Sequence, residues 1–394
     1  MIKLTFLGDI MCDYTMSNNL NRYLDLKTNK YDFSCIFTHI KRMLQQSDYV
    51  FANLETPISE NNNDLTKAQW SFNSPYEFAQ AIANCGIRFT STANNHCLDR
   101  GLLGLESTIR SLDSIGLKHC GTQIKKGNEY CIVSVEGLQI GVLAYTYGTN
   151  AFSNYCYLPH NRYWAVNLLQ EQEERIHNKW RSFFHNRANR IYNYLDKRLY
   201  PDNLKRQIYE KETFHLFRKA LILRDIKRVK KKKVDLIVAY LHVGGQYNIL
   251  PSSYTIRVTD WFINNGCDFV IDNHEHVVHG SKINDSSVAT YALGNLVSSA
   301  GVENEPYDRR ADFSIAFHAY FDKESKQIKR VTFSVLKTIK NEKGCYEVWP
   351  VFDLLKISQG NTSKLLKDAL KVAEDFSGIA FNSVEEEYIL KEWL

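Results

Sequence analysis

No apolar run in this 394-residue chain approaches the roughly 20 residues that a membrane-spanning helix needs. Its opening, MIKLTFLGDI, is too short an apolar stretch to be a signal h-region followed by a cleavage site. Both absences predict a soluble protein. None of the nine cysteines stands in a CxxC pair and their number is odd, which argues against a disulfide scaffold and predicts reduced thiols, mostly filling core, in a cytoplasmic protein. Internal repeats and low-complexity linkers are missing too. The length then allows one large domain of roughly 250 to 300 residues with an insertion or tail, in preference to several small domains.

What is present alternates. Strand-like runs at 3–7, 49–53, 89–93, 130–135 and 140–145 are separated by helix-period patterns at 33–44 and 102–115, the first marked by Phe33, Ile36, Phe37, Ile40 and Leu44. That order predicts an α/β sheet with helices on both faces. The pattern resumes with a strand at 234–241, a helix at 256–264 and a strand at 269–271. Runs at 289–293, 313–321 and 329–337 then predict antiparallel strands towards one edge, followed by a helix-prone tail from Ser363. In between, Leu169, Ile176, Trp180, Phe183, Phe184, Ile191, Leu195 and Leu199 follow a helical spacing broken at Pro201. The expected organisation is an α/β domain from 1–166 and 224–350, a helical pair inserted at 167–223, and a C-terminal helical tail at 351–394.

Charge is concentrated in and beside the insertion. Arg162 to Lys233 holds 20 Lys or Arg against 8 Asp or Glu, whereas the whole chain is only +5, so the remainder is net acidic. A basic helical face predicts attraction to an anionic substrate or polymer, or to an acidic membrane surface, that weakens with salt. The plain alternative is a solvated face, and nucleic acid is the least favoured partner.

Chemistry-bearing side chains recur just after the strand-like runs. Asp9 follows Leu7-Gly8, and Glu55 ends Phe51-Ala52-Asn53-Leu54-Glu55. The segment Thr92-Ala93-Asn94-Asn95-His96-Cys97-Leu98-Asp99-Arg100-Gly101 offers amide oxygens beside an imidazole able to protonate a leaving oxygen, with Asp99 placed to orient the loop or accept from His96. His242 leaves an apolar strand into Gly244-Gly245, glycines that would let the backbone approach a ligand. His274 and His276 stand two apart, so in extended chain they face opposite ways and both reach one centre only if the chain turns. Each motif alone has a plain reading as a cap, a turn or a surface pair. Together they predict a metal-dependent hydrolase at a sheet edge, with imidazole, carboxylate and amide donors that suit Zn, Mn, Fe or Ni better than Mg or Ca.

The set Gly8-Asp9, Asn53-Leu54-Glu55, Asn94-Asn95-His96-x-x-Asp99-x-Gly101, His242-x-Gly244, His274-x-His276-Val277 and Leu293-Gly294-Asn295 resembles the CapA family of bacterial capsule and poly-γ-glutamate synthesis proteins, over about 1–150 and 234–300. That family is similar to calcineurin-like metallophosphoesterases. The resemblance implies stacked sheets flanked by helices and one or two divalent transition metals (Mn, Zn or Fe). It implies Asp9 on one metal, Glu55 bridging, Asn95 and His242 on the second metal, and His274 and His276 each contributing. It further implies His96 as proton donor with Asp99 beside it, substrate contacts from Asn53, Asn94 and Asn295, and capsule-synthesis proteins as partners.

Three positions depart from the pattern. Met11 stands where phosphoesterases place a histidine, Gln246 where an acidic residue is common in the family, and Asp272-Asn273 where glycine-histidine is expected; Asp272 or Glu275 is available to compensate as an oxygen ligand. The expected function is accordingly a metal-dependent phosphoesterase. A non-catalytic accessory that binds a polyanion in capsule assembly is the alternative.

Overall fold

The computed structural model describes residues 1–60, 66, 70–127, 129–172, 214, 216–303, 310–358, 360 and 362–393. Two sheets are stacked face to face. The larger runs, in spatial order, β16 (Tyr346–Pro350), β15 (Ile328–Lys340), β14 (Phe313–Phe321), β1 (Ile2–Ile10), β4 (Tyr49–Leu54), β5 (Phe89–Ser91) and β6 (Lys118–Cys120), with β13 (Asn295–Val297) also paired to β1 and β17 (Tyr388–Glu392) to β15. The smaller runs β11 (Ser281–Ile283), β12 (Val288–Thr290), β10 (Phe269–Asn273), β9 (Leu236–His242), β8 (Leu138–Thr146) and β7 (Tyr130–Val135). A short hairpin, β2 (Leu24–Asp25) with β3 (Lys30–Tyr31), stands apart.

Burial on both faces explains the composition of the strands. Along β1, Leu4 and Phe6 join the layer between the sheets while Leu7 and Ile10 face outward into a second cluster. Rings from both sheets interleave in the middle layer, with Phe6 centred 5.8 Å from Phe269 and 6.4 Å from Tyr240. Helices cover the outer faces. Over the larger sheet lie α1 (Tyr14–Ser17), α2 (Ser34–Phe37), α3 (Lys41–Gln45) and α4 (Tyr76–Asn84), whose Met16, Phe37, Leu44 and Phe78 pack with Val50 and Ala52, and α5 (Gly101–Ser114) contributes Leu112. The four-residue α6 (Ala151–Asn154) follows β8. Over the smaller sheet lie α7 (Leu216–Lys230) and α8 (Ser253–Asn264), burying Ile222, Ile226, Val258 and Phe262 against Val270.

Stacked sheets with outer helices are the architecture that the family resemblance implies, but not the single sheet with helices on both faces read from alternation alone. Period-two and period-3.6 patterns fix each element and its buried face, and they are the same whether a sheet's second face meets a helix or another sheet. Four local differences follow from tertiary contacts. The helix expected over 33–44 is two short helices, because His39 in the break stacks on Trp349 at 3.3 Å and approaches Glu347 at 3.3 Å, although the five residues of the apolar pattern are all buried. Strand β6, between Gly116 and Gly121, was not among the strand-like runs read from the sequence. The run at 289–293 does not join β14 and β15: its strand β12 lies in the smaller sheet, parallel to β10. The C-terminal residues hold α9 (Val351–Ile357) and α10 (Ser363–Ser377), yet they are no appendage. The larger sheet is wider than the smaller, and α10 covers the inner face left over, with Phe376 5.0 Å from Phe333 and 6.2 Å from Phe317. The chain then adds β17 to β15.

The paired helices expected at 167–223, with Trp180, Phe183 and Phe184, fall outside the described residues. Within them, α7 begins at Leu216 and continues past 223 to Lys230. No helix among the described residues is long and apolar enough to cross a membrane.

Candidate metal centre

The strands that bear the site residues end at one edge of the stack, but they belong to both sheets. β1, β4 and β5 are mutually parallel in the larger sheet, and β8, β9 and β10 in the smaller. The site therefore straddles the seam between the sheets.

Local chain geometry places each group. A Cβ on Gly8 would lie 1.9 Å from the Gly294 carbonyl oxygen, so glycine is needed for β1 and β13 to approach. That approach lets the Asp9 N–H donate to Gly294 O at 3.0 Å and sets Asp9 opposite Asn295, uniting two motifs distant in sequence. Glu55 follows the last residue of β4, and His242 is the last residue of β9. Beyond β10 the chain turns as the i, i+2 spacing requires. His274 and His276 take φ of 95° and 58°, left-handed conformations that cost non-glycine residues about 1–3 kcal/mol and persist where surrounding structure holds them. The turn gathers the imidazoles, with His274 centred 4.6 Å from His242 and 5.7 Å from His276.

Two overlapping donor groups result. Asp9, Glu55 and His242 form one and Glu55, His274 and His276 the other, with the ligand atoms of each within 4.8 Å of one another. Glu55 is common to both. Asn95 Oδ1 lies 2.8 Å from His242 Nε2. The resemblance would put Asp9 and His242 on different metals, whereas here their donor atoms share a group.

The electrostatics suit a cation. Glu55 is fully buried, and neither carboxylate oxygen accepts a hydrogen bond from a described residue. Its Oε1 is 3.3 Å from His242 Nε2 and 3.8 Å from His276 Nε2. Burial, and then the nearby charge of Asp9, push the Glu55 carboxyl well above its ordinary range. Burial also pushes His242 well below 6.5, helped by His274, His276 and His96. A carboxylate taken from water with no donor is costly unless a positive charge meets it. Three imidazoles, two carboxylates and an amide oxygen fit a divalent transition metal.

Beside the donor groups stands a hydrogen-bonded pair. His96 Nδ1 lies 2.6 Å from Asp99 Oδ2, both residues buried. Asp99 also accepts from Phe72 N at 2.7 Å and from the Asn154 amide at 2.8 Å, while the Phe72 ring stacks on His96 at 3.7 Å. Phe72 and Asn154 carry no signal in the sequence, since their role depends on where a loop after β4 and α6 come to rest.

Asn53, Asn94 and Asn295, expected to contact substrate, are hydrogen-bonded within the site. Asn53 Nδ2 donates to Asp9 Oδ1 at 2.7 Å; Asn94 Nδ2 donates to Leu54 O at 2.7 Å and its Oδ1 accepts from His96 N at 3.2 Å; Asn295 Oδ1 lies 3.0 Å from His276 Nδ1 and its Nδ2 donates to His276 O and Ala311 O. Neither Asp272 nor Glu275 belongs to the donor groups. Asp272 Oδ1 accepts from Asn273 N at 2.8 Å. Glu275 sits against Gly244, where a Cβ would meet its Oε1 at 2.0 Å, so that glycine makes room for a buried carboxylate in place of a ligand. Met11 is buried, and its N–H donates to Val297 O.

The chain matches the family described as bacterial capsule synthesis protein PGA_cap over residues 3–300. It is 23% identical over 305 residues to the capsule biosynthesis protein CapA of Bacillus anthracis, covering 76% of this chain and 60% of that protein. It is 21% identical over 311 residues to the PGA biosynthesis protein CapA of Bacillus subtilis (strain 168), covering 76% of this chain and 64% of that one. The match thus spans less than two thirds of either relative. Among solved structures, the 5'-nucleotidase of Candida albicans superposes with a TM-score of 0.39 at 10% identity over 85% of this chain and 50% of that one, and the sulfate thiohydrolase SoxB of Thermus thermophilus with 0.37 at 9% over 86% and 46%. Superpositions this loose carry no functional argument.

Proposed function

From the premise that the chain belongs to the PGA_cap family of bacterial capsule synthesis proteins, we propose that it is a metal-dependent phosphoesterase acting in capsule-polymer assembly. The observation that carries the reading is Glu55, a buried carboxylate that accepts no hydrogen bond from a described residue and is shared by two groups of imidazole and carboxylate atoms. Divalent ions such as Mn, Zn or Fe, held by Asp9, Glu55, Asn95, His242, His274 and His276, supply Lewis acidity and an activated water when bound.

The chain's own residues do the rest. Asn53 and Asn295 orient Asp9 and His276. Asp99 accepts from His96 Nδ1, which leaves Nε2 to carry a proton to the departing alcohol. Phe72 and Asn154 hold that pair in place from two separate elements.

Met11 favours a second reading, an accessory that keeps the fold as a binding surface, because a thioether is a poor ligand for a hard divalent ion. One experiment separates the two. The protein is purified with Mn, Zn or Fe supplements and assayed on para-nitrophenyl phosphate and bis-para-nitrophenyl phosphate. Metal-dependent hydrolysis that chelator abolishes is expected; metal retained with no hydrolysis of either ester would leave the accessory.

A further inference from the structure

The loops that leave the site-bearing strand ends carry exposed aromatic rings. Tyr14 follows β1, Trp70 lies beyond β4, and Phe152 and Tyr155 lie on and just after α6; they are 48%, 62%, 51% and 62% exposed. Phe217 is the only other aromatic among the described residues to be so exposed. Three of these rings are tied to the centre through their own loops. Trp70 is two residues from Phe72, which stacks on His96, and it meets Tyr14 edge to face at 5.7 Å. Asn154, which donates to Asp99, lies between Phe152 and Tyr155, whose rings are 6.5 Å apart. Deeper in, Tyr147 is centred 4.7 Å from His274 and Tyr247 5.5 Å from His276.

The chemistry between the rings narrows what they would hold. Residues 147–158, YGTNAFSNYCYL, and 243–252, VGGQYNILPS, contain no charged side chain. They offer aromatic faces, amides, hydroxyls and glycines. A polyanion or a nucleic-acid strand is tracked by a row of cations along its backbone, which these two loops lack. A lipid surface calls for basic residues beside the apolar ones, which are equally missing from these loops. Flat rings interleaved with neutral donors and acceptors match a ligand with apolar faces and a hydroxylated edge, the surface of a pyranose ring.

We propose that this aromatic collar binds the uncharged sugar rings of a glycan and so presents one of its ester bonds to the metal centre. The inference rests on the phosphoesterase reading only for the position of the reacting bond. The collar itself is a binding surface and holds its ligand without turnover.

Binding is therefore measured on the full chain by calorimetry, without following any reaction. The neutral probes are maltohexaose, cellohexaose and the hexamer of N-acetylglucosamine; the anionic probes are poly-γ-glutamate and inorganic polyphosphate. At least one neutral hexasaccharide should bind equally at low and high salt, and Trp70→Ala and Tyr14→Ala should each weaken it roughly 10-fold, the loss expected when one stacked ring is removed. Both side chains are exposed enough that the variants keep the fold, and an unchanged melting temperature confirms it. No binding by any of the three hexasaccharides, or binding confined to the anionic polymers and lost with salt, overturns the proposal. Saccharide binding in a protein that hydrolyses no ester would count against the phosphoesterase reading alone.

Discussion

Replacing Glu55 with glutamine will stabilise the metal-free protein and abolish most of its metal binding. In the wild-type protein a fully buried carboxylate lies near Asp9 and accepts no hydrogen bond from a described residue. Such a group destabilises a fold, and exchanging it for a neutral side chain of the same shape is expected to recover about 1–3 kcal/mol. The metal-free variant should melt several degrees higher than metal-free wild type. With Mn or Zn added the order reverses, because binding to the folded state alone stabilises in proportion to the logarithm of ligand excess. Glu55 belongs to both donor groups, so its loss weakens both at once. Thermal melts with and without metal, paired with elemental analysis, check the crossing. A variant that melts lower than wild type without metal and retains its metal would show Glu55 to be an ordinary structural acceptor.

Changing His96 to alanine should lower kcat about 10²-fold for an alkyl phosphoester while metal content stays as in wild type, since positioned proton transfer typically contributes that much. The separation of roles follows from geometry. His96 is absent from both donor groups and instead pairs with Asp99 at 2.6 Å. A para-nitrophenyl ester, whose leaving group needs little protonation, should suffer far less. Asp99→Asn should move the same way by a smaller factor, because it disturbs the orientation of the ring and leaves the ring present. Equal losses on both esters, or loss of metal, would make His96 a ligand or a structural residue.

Gly8-Asp9, Glu55, Asn95-His96, His242 and His274-x-His276 announce themselves because each follows an apolar run, and the parallel strands of a layered fold bring such ends to one edge. The turn at His274 and His276 was legible as a requirement: two imidazoles at i, i+2 converge only if the backbone leaves the extended region, as the φ values show. The second sheet was not legible from alternation, since Tyr240 and Phe269 look the same in a strand covered by a helix as in one that meets Phe6. Long-range partners were hidden as well. Phe72 and Asn154 meet Asp99 through backbone and amide contacts that leave no periodic trace, and Asn94 and Asn295 look like free donors until the loops they brace are in place. Charge marked a segment that lies mostly outside the described residues. The basic run from Arg162 to Lys233 pointed to an anionic ligand, while the loops 147–158 and 243–252 beside the centre are uncharged.

Anomalous X-ray diffraction from crystals grown with Mn or Zn, with data recorded on either side of the metal's absorption edge, tests the central claim most directly. At least one peak beside the Glu55 carboxylate is predicted, within reach of Asp9 and His242 or of His274 and His276. No anomalous peak within the cluster, from protein whose fold is intact, would contradict the metal centre and the hydrolase built on it.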